Sequence, residues 1–191
     1  YAITTSATVD GDLILVSNGT YTEHLVFSTK TLTVASMYYI TSDPADITNT
    51  VIDGSYTGTV VTFSIDATLM GFTIKRGHST GSGGGIAVAE CSPVLSHLIV
   101  RNSWAAVNGG GIYMAYGSPM LSTVTTVHNT ATYGGGVYME TATPTVAAMT
   151  IDSNSAVQRG GGMYMNTSTP LLSNTTVQYN SASLGGGVYI D

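Results

Sequence analysis

Charge is what this chain of 191 residues has least of. Lysine and arginine together number five and aspartate plus glutamate eleven, only 8% of the sequence, for a net charge of −6. A typical soluble domain is about one quarter charged. The five cations are Lys30, Lys75, Arg76, Arg101 and Arg159. A protein that grips a phosphate backbone needs a basic stripe, and five dispersed cations do not supply one, so nucleic acid is excluded as a partner. Cysteine is nearly absent as well. Cys91 stands alone, which rules out an internal disulfide and a thiolate metal centre. No apolar run approaches the roughly 18 residues of a membrane helix, so no membrane span is expected. Tyr1 opens directly into polar residues, without the basic and apolar regions of a secretory signal.

Catalytic signatures are missing too. His24, His78, His97 and His128 share no spacing that would bring three onto one metal. No serine sits in a triad context, and neither the phosphate-loop lysine nor a strand–GxGxxG–helix unit occurs. Neither a metal nor a cofactor is expected.

Glycine, by contrast, is abundant, with 23 residues. It gathers in a run followed by a short apolar strand that returns five times: GGGIAV at Gly83, GGGIYM at Gly109, GGGVYM at Gly134, GGGMYM at Gly160 and GGGVYI at Gly185. Successive runs lie 26, 25, 26 and 25 residues apart, a period that belongs to a stacked coil. A proline follows each of the first four runs by ten residues, at Pro93, Pro119, Pro144 and Pro170. An asparagine comes nine or ten residues later, at Asn102, Asn129, Asn154 and Asn180. The distance from that asparagine to the next run is seven, five, six and five residues, so length varies in one connection only. The spacing predicts an all-β solenoid of about seven coils, with residues 1–57 as an N-terminal cap with irregular first coils and 58–191 as the regular part of one domain.

Within GGGIYM the alternation is inward Ile, outward Tyr, inward Met. Val61, Ile86, Ile112, Val137, Met163 and Val188 then form one inward row, and Phe63, Val88, Met114, Met139, Met165 and Ile190 a second. Three glycines per coil imply a bend with positive φ or a backbone approach that a side chain would block. The asparagines suggest a hydrogen-bonded ladder at a left-handed corner. Aligning the preceding segment by eye puts Ile74 on Ile99, Arg76 on Arg101 and Gly77 on Asn102. Asp43-Pro44 lies in a less regular stretch, read as an inserted loop. Val188 to Asp191 open a further copy, which suggests a piece of a longer array with an uncovered end.

The opening stretch GDLILVSNGTYTEHLVF, beginning at Gly11, resembles the first coil of right-handed parallel β-helix proteins of the pectin-lyase-like class. The GGG(I/V)Y repeat with a downstream V-x-x-N resembles the repeats of β-helical surface proteins, among them polymorphic outer-membrane protein passengers. Those carry GGA and FxxN, whereas the third position here is Gly and no Phe precedes the Asn. The resemblance implies a right-handed parallel β-helix at the cell surface or outside the cell.

Three constellations could carry function. Tyr113, Tyr138, Tyr164 and Tyr189 occupy one outward position of successive coils; exposed, they would form an aromatic strip about 15 Å long able to stack on sugar rings, and otherwise they pack beneath a loop. Rows of Thr125, Thr150 and Thr176, and of Ser92, Ser118, Thr143 and Thr169, are hydroxyl ladders of the turns. Asp53, Arg76 and Arg101 fall in one row by that alignment and are candidates for a lyase site, or more simply an ion pair between coils. The glycosidase requirement of paired carboxylates is met poorly by Glu90 and Glu140, two coils apart and one position out of line. The expected function is therefore a non-catalytic structural or adhesive module, a stalk, passenger or fibre unit capable of self-association end to end or laterally, with a host or cell-surface ligand. The alternative is a carbohydrate-active β-helix that binds or cleaves a polysaccharide.

Overall fold

The computed structural model describes residues 7–191; the first six residues of the expected cap lie outside the described residues. Every strand pairing is parallel, and each strand meets its own equivalent one turn later. Ile86 pairs with Ile112, Ile112 with Val137, Val137 with Met163 and Met163 with Val188. The strands gather into a seven-stranded sheet, a twelve-stranded sheet that bends along its length, and a four-stranded sheet. Both inward rows form as expected, and their members from Val61 to Met163 are buried. Phe27 and Phe63 stack at 4.5 Å at one end of the second row.

The coil count needs correcting. The seven-stranded sheet includes Leu25–Phe27 and Val188–Ile190, but regular turns between Val61 and Gly187 number about five rather than about seven. The segment read as a loop is instead two short helices, Tyr38–Thr41 and Pro44–Asn49. Asp43 starts the second, its Oδ1 accepting from the Ala45 N–H at 2.9 Å with Pro44 in the first turn. The pair packs on the long sheet: Tyr38 stacks on His97 at 4.6 Å, and Thr73 Oγ1 donates to the Ile47 carbonyl at 2.9 Å.

Each regular turn bends at four left-handed residues, and these stack in columns. In one turn they are Glu90, His97, Asn102 and Gly109; in the next, Tyr116, Thr123, His128 and Gly134; then Thr141, Ala148, Ser153 and Gly160; then Thr167, Asn174, Tyr179 and Gly185. Only the last column is glycine throughout. At the other three corners an L-residue adopts αL at a cost of roughly 1–2 kcal/mol, offset by the ladder bonds on either side.

The three glycines of each run do different work. The first, as at Gly134, has φ near +62°. At the second, a Cβ on Gly110 would stand 2.6 Å from the Gly135 carbonyl oxygen; at the third, a Cβ on Gly111 would meet the Gly136 carbonyl at 2.6 Å and Asn129 Nδ2 at 2.9 Å.

That contact introduces the asparagine ladder. Asn129 Nδ2 donates to the Val100 carbonyl at 2.9 Å and to Asn154 Oδ1 at 3.0 Å; Asn154 Nδ2 repeats the pattern to Thr126 O and Asn180 Oδ1. Both residues are buried. Asn102 is not a rung. It sits at the left-handed corner, in the column of His128 and Ser153, while Ser103 takes the ladder position, its N–H donating to Asn129 Oδ1 at 3.0 Å. The rungs thus lie one residue beyond the αL corner and are not at it.

Asn154→Ala strips its side-chain hydrogen bonds from buried Thr126 and Asn129 and part-buried Asn180 and is expected to lower stability by about 3 kcal/mol, against about 1 kcal/mol or less for Asn102→Ala at the exposed corner. Urea midpoints of the two variants check the assignment, and equal losses would reverse it.

Candidate functional site

The charged residues nominated from the sequence do meet, in a different alignment. Ile99 pairs with Thr73, Val100 with Ile74 and Arg101 with Lys75, while Asp53 also pairs with Lys75. The column is therefore Asp53, Lys75, Arg101. Arg76 stands one residue further on, at the corner shared with Asn102. The physical reason is one extra residue at the Glu90 bend: the pairing offset is 25 at Val61–Ile86 and 26 at Thr68–Val94, so an alignment made at the strand slips by one after the bend.

Asp53 is buried at 1% exposure. Arg76 Nε donates to its Oδ1 at 2.8 Å, and an Arg76 NH2 nitrogen contacts Oδ2; Lys75 Nζ lies 3.4 Å from Oδ2, and the Ser55 N–H donates to Oδ1 at 3.0 Å. Burial pushes this carboxyl up, but Arg76, the Ser55 N–H and Lys75 outweigh it and hold it at about 2, below the ordinary 3.8. The hydrogen bond from Asp53 raises the Arg76 guanidinium further, so Arg76 is unable to act as a base. Arg76 also faces the exposed Tyr56 ring at 5.7 Å. The group is an ion-pair network between coils and not an acid–base pair.

Arg101 differs. No hydrogen bond or ion pair among the described residues engages its side chain, and it is partly exposed beside Lys75. Around it the chain alternates across the corner. Gly77, Ser103 and Asn129 point in, and Arg76 with His78, and Asn102 with Trp104, flank them on the outside. Trp104, the only tryptophan, is paired in register with His78, and their rings stack at 4.3 Å with 37% of Trp104 exposed. In the sequence alone His78 is weighed only as a metal ligand, and Trp104 is not singled out. Their joint signal, an aromatic and a histidine 26 residues apart, carries meaning only once the one-residue slip is known. Two sheets therefore meet at a corner bearing an unengaged guanidinium, a second arginine and an aromatic platform. Such a surface can hold an anionic group beside a sugar ring.

The tyrosine column forms in register: Tyr113 with Tyr138, Tyr138 with Tyr164, Tyr164 with Tyr189. Its rings stack on one another at 5.8, 4.8 and 5.2 Å. Tyr138 and Tyr164 are buried, at 6% and 4% exposure, so the flat faces that would meet a sugar are already occupied. Three hydroxyls are taken: Tyr113 donates to Glu140 at 2.6 Å, Tyr164 donates to Asp191 at 2.8 Å, and Tyr138 accepts from Asn166 Nδ2 at 3.3 Å. No group of three or more His, Cys, Asp or Glu side chains among the described residues is placed to hold a metal, and no helix among them is long and apolar enough to cross a membrane.

No known protein family and no curated protein matches the sequence. Solved structures do. A pectin methylesterase in complex with hexasaccharide VII aligns with a TM-score of 0.59 at 12% identity, over 90% of this chain and 60% of that one. A point mutant of a pectin methylesterase in complex with hexasaccharide IV aligns with a TM-score of 0.54 at the same identity and coverage. The fold is the right-handed parallel β-helix of the pectin-lyase-like class. At this identity the likeness is one of fold alone, and the chain spans less than two thirds of either protein. The β-helix here carries three of its five cations at one corner of the coil, and its buried Asp53 is held between coils.

Because the folded pKa of Asp53 is depressed, its contribution to stability is complete above about pH 4 and is lost as pH falls through 2. The shift from 3.8 to about 2 corresponds to about 2 kcal/mol. Denaturant unfolding between pH 5 and pH 2 should show this loss in the natural chain and a flatter profile in Asp53→Asn.

Proposed function

We propose that this β-helix binds an acidic polysaccharide along the corner bearing Arg76, His78, Arg101, Asn102 and Trp104, outside the cell, without cleaving it. The observation that carries the reading is Arg101: a guanidinium without a protein partner, on a chain of net charge −6, next to the exposed Trp104–His78 platform. An acidic protein repels polyanions at long range, so a local cluster of three of its five cations has a recognition role more readily than a solubility one. Stacked coils also present equivalent positions about 4.8 Å apart, a repeating surface suited to a repeating ligand. Two solved pectin methylesterase structures of the same fold, one of a point mutant, are complexes with hexasaccharides.

Binding without cleavage follows from the chemistry at hand. Asp53 is spent on Arg76 and Lys75, and Arg76 is held protonated. Glu140 accepts from Tyr113 and stands one column away from Glu90, whose N–H donates to the Ala115 carbonyl. No two free carboxylates flank one point on the corner, as glycoside hydrolysis requires. This reading takes the place of the purely structural or adhesive module expected from the sequence, because it gives the gathered cations a role.

Calorimetric titration with polygalacturonate and with neutral dextran tests it. Polygalacturonate should bind in a salt-sensitive way and emerge with its chain length unchanged, while dextran should not bind. Arg101→Ala should weaken binding about tenfold or more, the worth of one charge-assisted hydrogen bond, and Trp104→Ala should also weaken it. Equal binding of both polymers, or an Arg101→Ala variant indistinguishable from the natural chain, would refute the proposal.

A further inference from the structure

Four tyrosines stand in one stack, and two of them donate hydrogen bonds to carboxylates. We propose that the column Tyr113–Tyr138–Tyr164–Tyr189 is a one-electron relay, which accepts an oxidising equivalent from an outer-sphere oxidant and holds it as a phenoxyl radical on Tyr113 or Tyr164. The rings are nearly parallel, with interplanar angles of 25°, 10° and 20° at centroid separations of 4.8 to 5.8 Å, so each ring stands within short electron-transfer range of the next along the column. Tyr133 adds a fifth ring, edge-on to Tyr164 at 5.8 Å.

A phenol gives up an electron readily only when its proton has somewhere to go. Tyr113 and Tyr164 have that acceptor, Glu140 Oε2 at 2.6 Å and Asp191 Oδ2 at 2.8 Å. Tyr138 does not, since its hydroxyl receives a hydrogen bond from Asn166. Burial and the neighbouring carboxylates push the Tyr113 and Tyr164 phenols up, so both stand protonated beside a base. Arg159 lies over the Tyr189 ring at 5.0 Å, hydrogen-bonds Tyr164 and stands 3.8 Å from Asp191 Oδ2, so its positive charge disfavours a hole at that end and makes Tyr113 the preferred resting place over Tyr164. The column therefore has two resting places joined by one bridging ring.

The step balances as follows. An oxidised metal complex takes one electron from Tyr113; the Tyr113 O–H bond breaks and its proton passes to Glu140, leaving a neutral phenoxyl and a neutral carboxyl. Movement to Tyr164 sends one electron back through Tyr138, returns the proton from Glu140 to Tyr113, and passes the Tyr164 proton to Asp191. Tyr113, the first ring of the column, is half-buried and within reach of an oxidant in solution.

The test uses the purified chain with a photo-oxidised ruthenium polypyridyl complex and freeze-trapped EPR. Every tyrosine outside the column, the exposed Tyr39, Tyr56, Tyr116 and Tyr179 among them, is replaced by Phe so that radicals elsewhere do not contribute. A phenoxyl signal should survive those replacements, fall to a small remainder in Glu140→Gln with Asp191→Asn, and fall equally in Tyr113→Phe with Tyr164→Phe, which keeps the rings stacked. The Phe pair keeps the test decisive if the carboxylate variants fold poorly, as thermal melts would report. A signal that disappears with the tyrosines outside the column, or that persists in the Tyr113→Phe, Tyr164→Phe variant, would overturn the relay.

Discussion

Backbone hydrogen bonds between equivalent segments one turn apart hold every other feature in place. A parallel ladder that, from Val61 on, pairs each strand residue with its counterpart 25 or 26 positions on forces identical positions into vertical columns. The inward columns then become a core by stacking Ile on Ile and Met on Met. The second and third glycines of the first four runs follow from the same constraint, because carbonyl oxygens of the next coil stand where their Cβ atoms would be. Buried Asn129 and Asn154 complete the arrangement by satisfying the carbonyls of Val100 and Thr126 that the bend would otherwise orphan.

What was legible in the sequence divides along that line. Columns requiring one residue type can be read by eye, so the glycine runs, the inward rows and the tyrosine column come out in register. Corners demanding only a left-handed backbone accept Arg76, Asn102, His128, Ser153 and Tyr179 alike, and leave no compositional trace. The single residue added at the Glu90 bend therefore passed unseen. It placed Arg76 beside Arg101; Asn102 joined the rungs on residue type alone, although the interval from Pro93 to Asn102 is nine residues where the other three are ten. The helical insert was missed because Tyr38–Thr41 is a single turn, too short for any apolar periodicity to show.

The candidate site was half visible for a related reason. Lys75, Arg76 and Arg101 stand out in a chain with five cations, but which of them is free depends on Asp53, and that follows only from the corrected column. Once Arg76 and Lys75 are committed to the buried carboxylate, Arg101 is the cation of the corner left for a ligand. The outward tyrosines show the converse. Alternation gave their direction correctly, yet direction is not exposure: four large rings in one column turn their faces to each other, since that contact is available at every coil and a ligand is not.

The ladder itself is open to a direct measurement by cysteine pairing on a Cys91→Ala background. Thr125 and Thr150 are registered partners on the outer surface of the twelve-stranded sheet. Cysteines at these two positions should oxidise readily to a disulfide, as Cα atoms of neighbouring parallel strands fall within its span. Cysteines at Thr125 and Asp152, two residues out of register, lie about 8 Å apart and should stay reduced under the same oxidant. Bridging of the second pair with failure of the first would contradict the stacked-coil register and every column built on it.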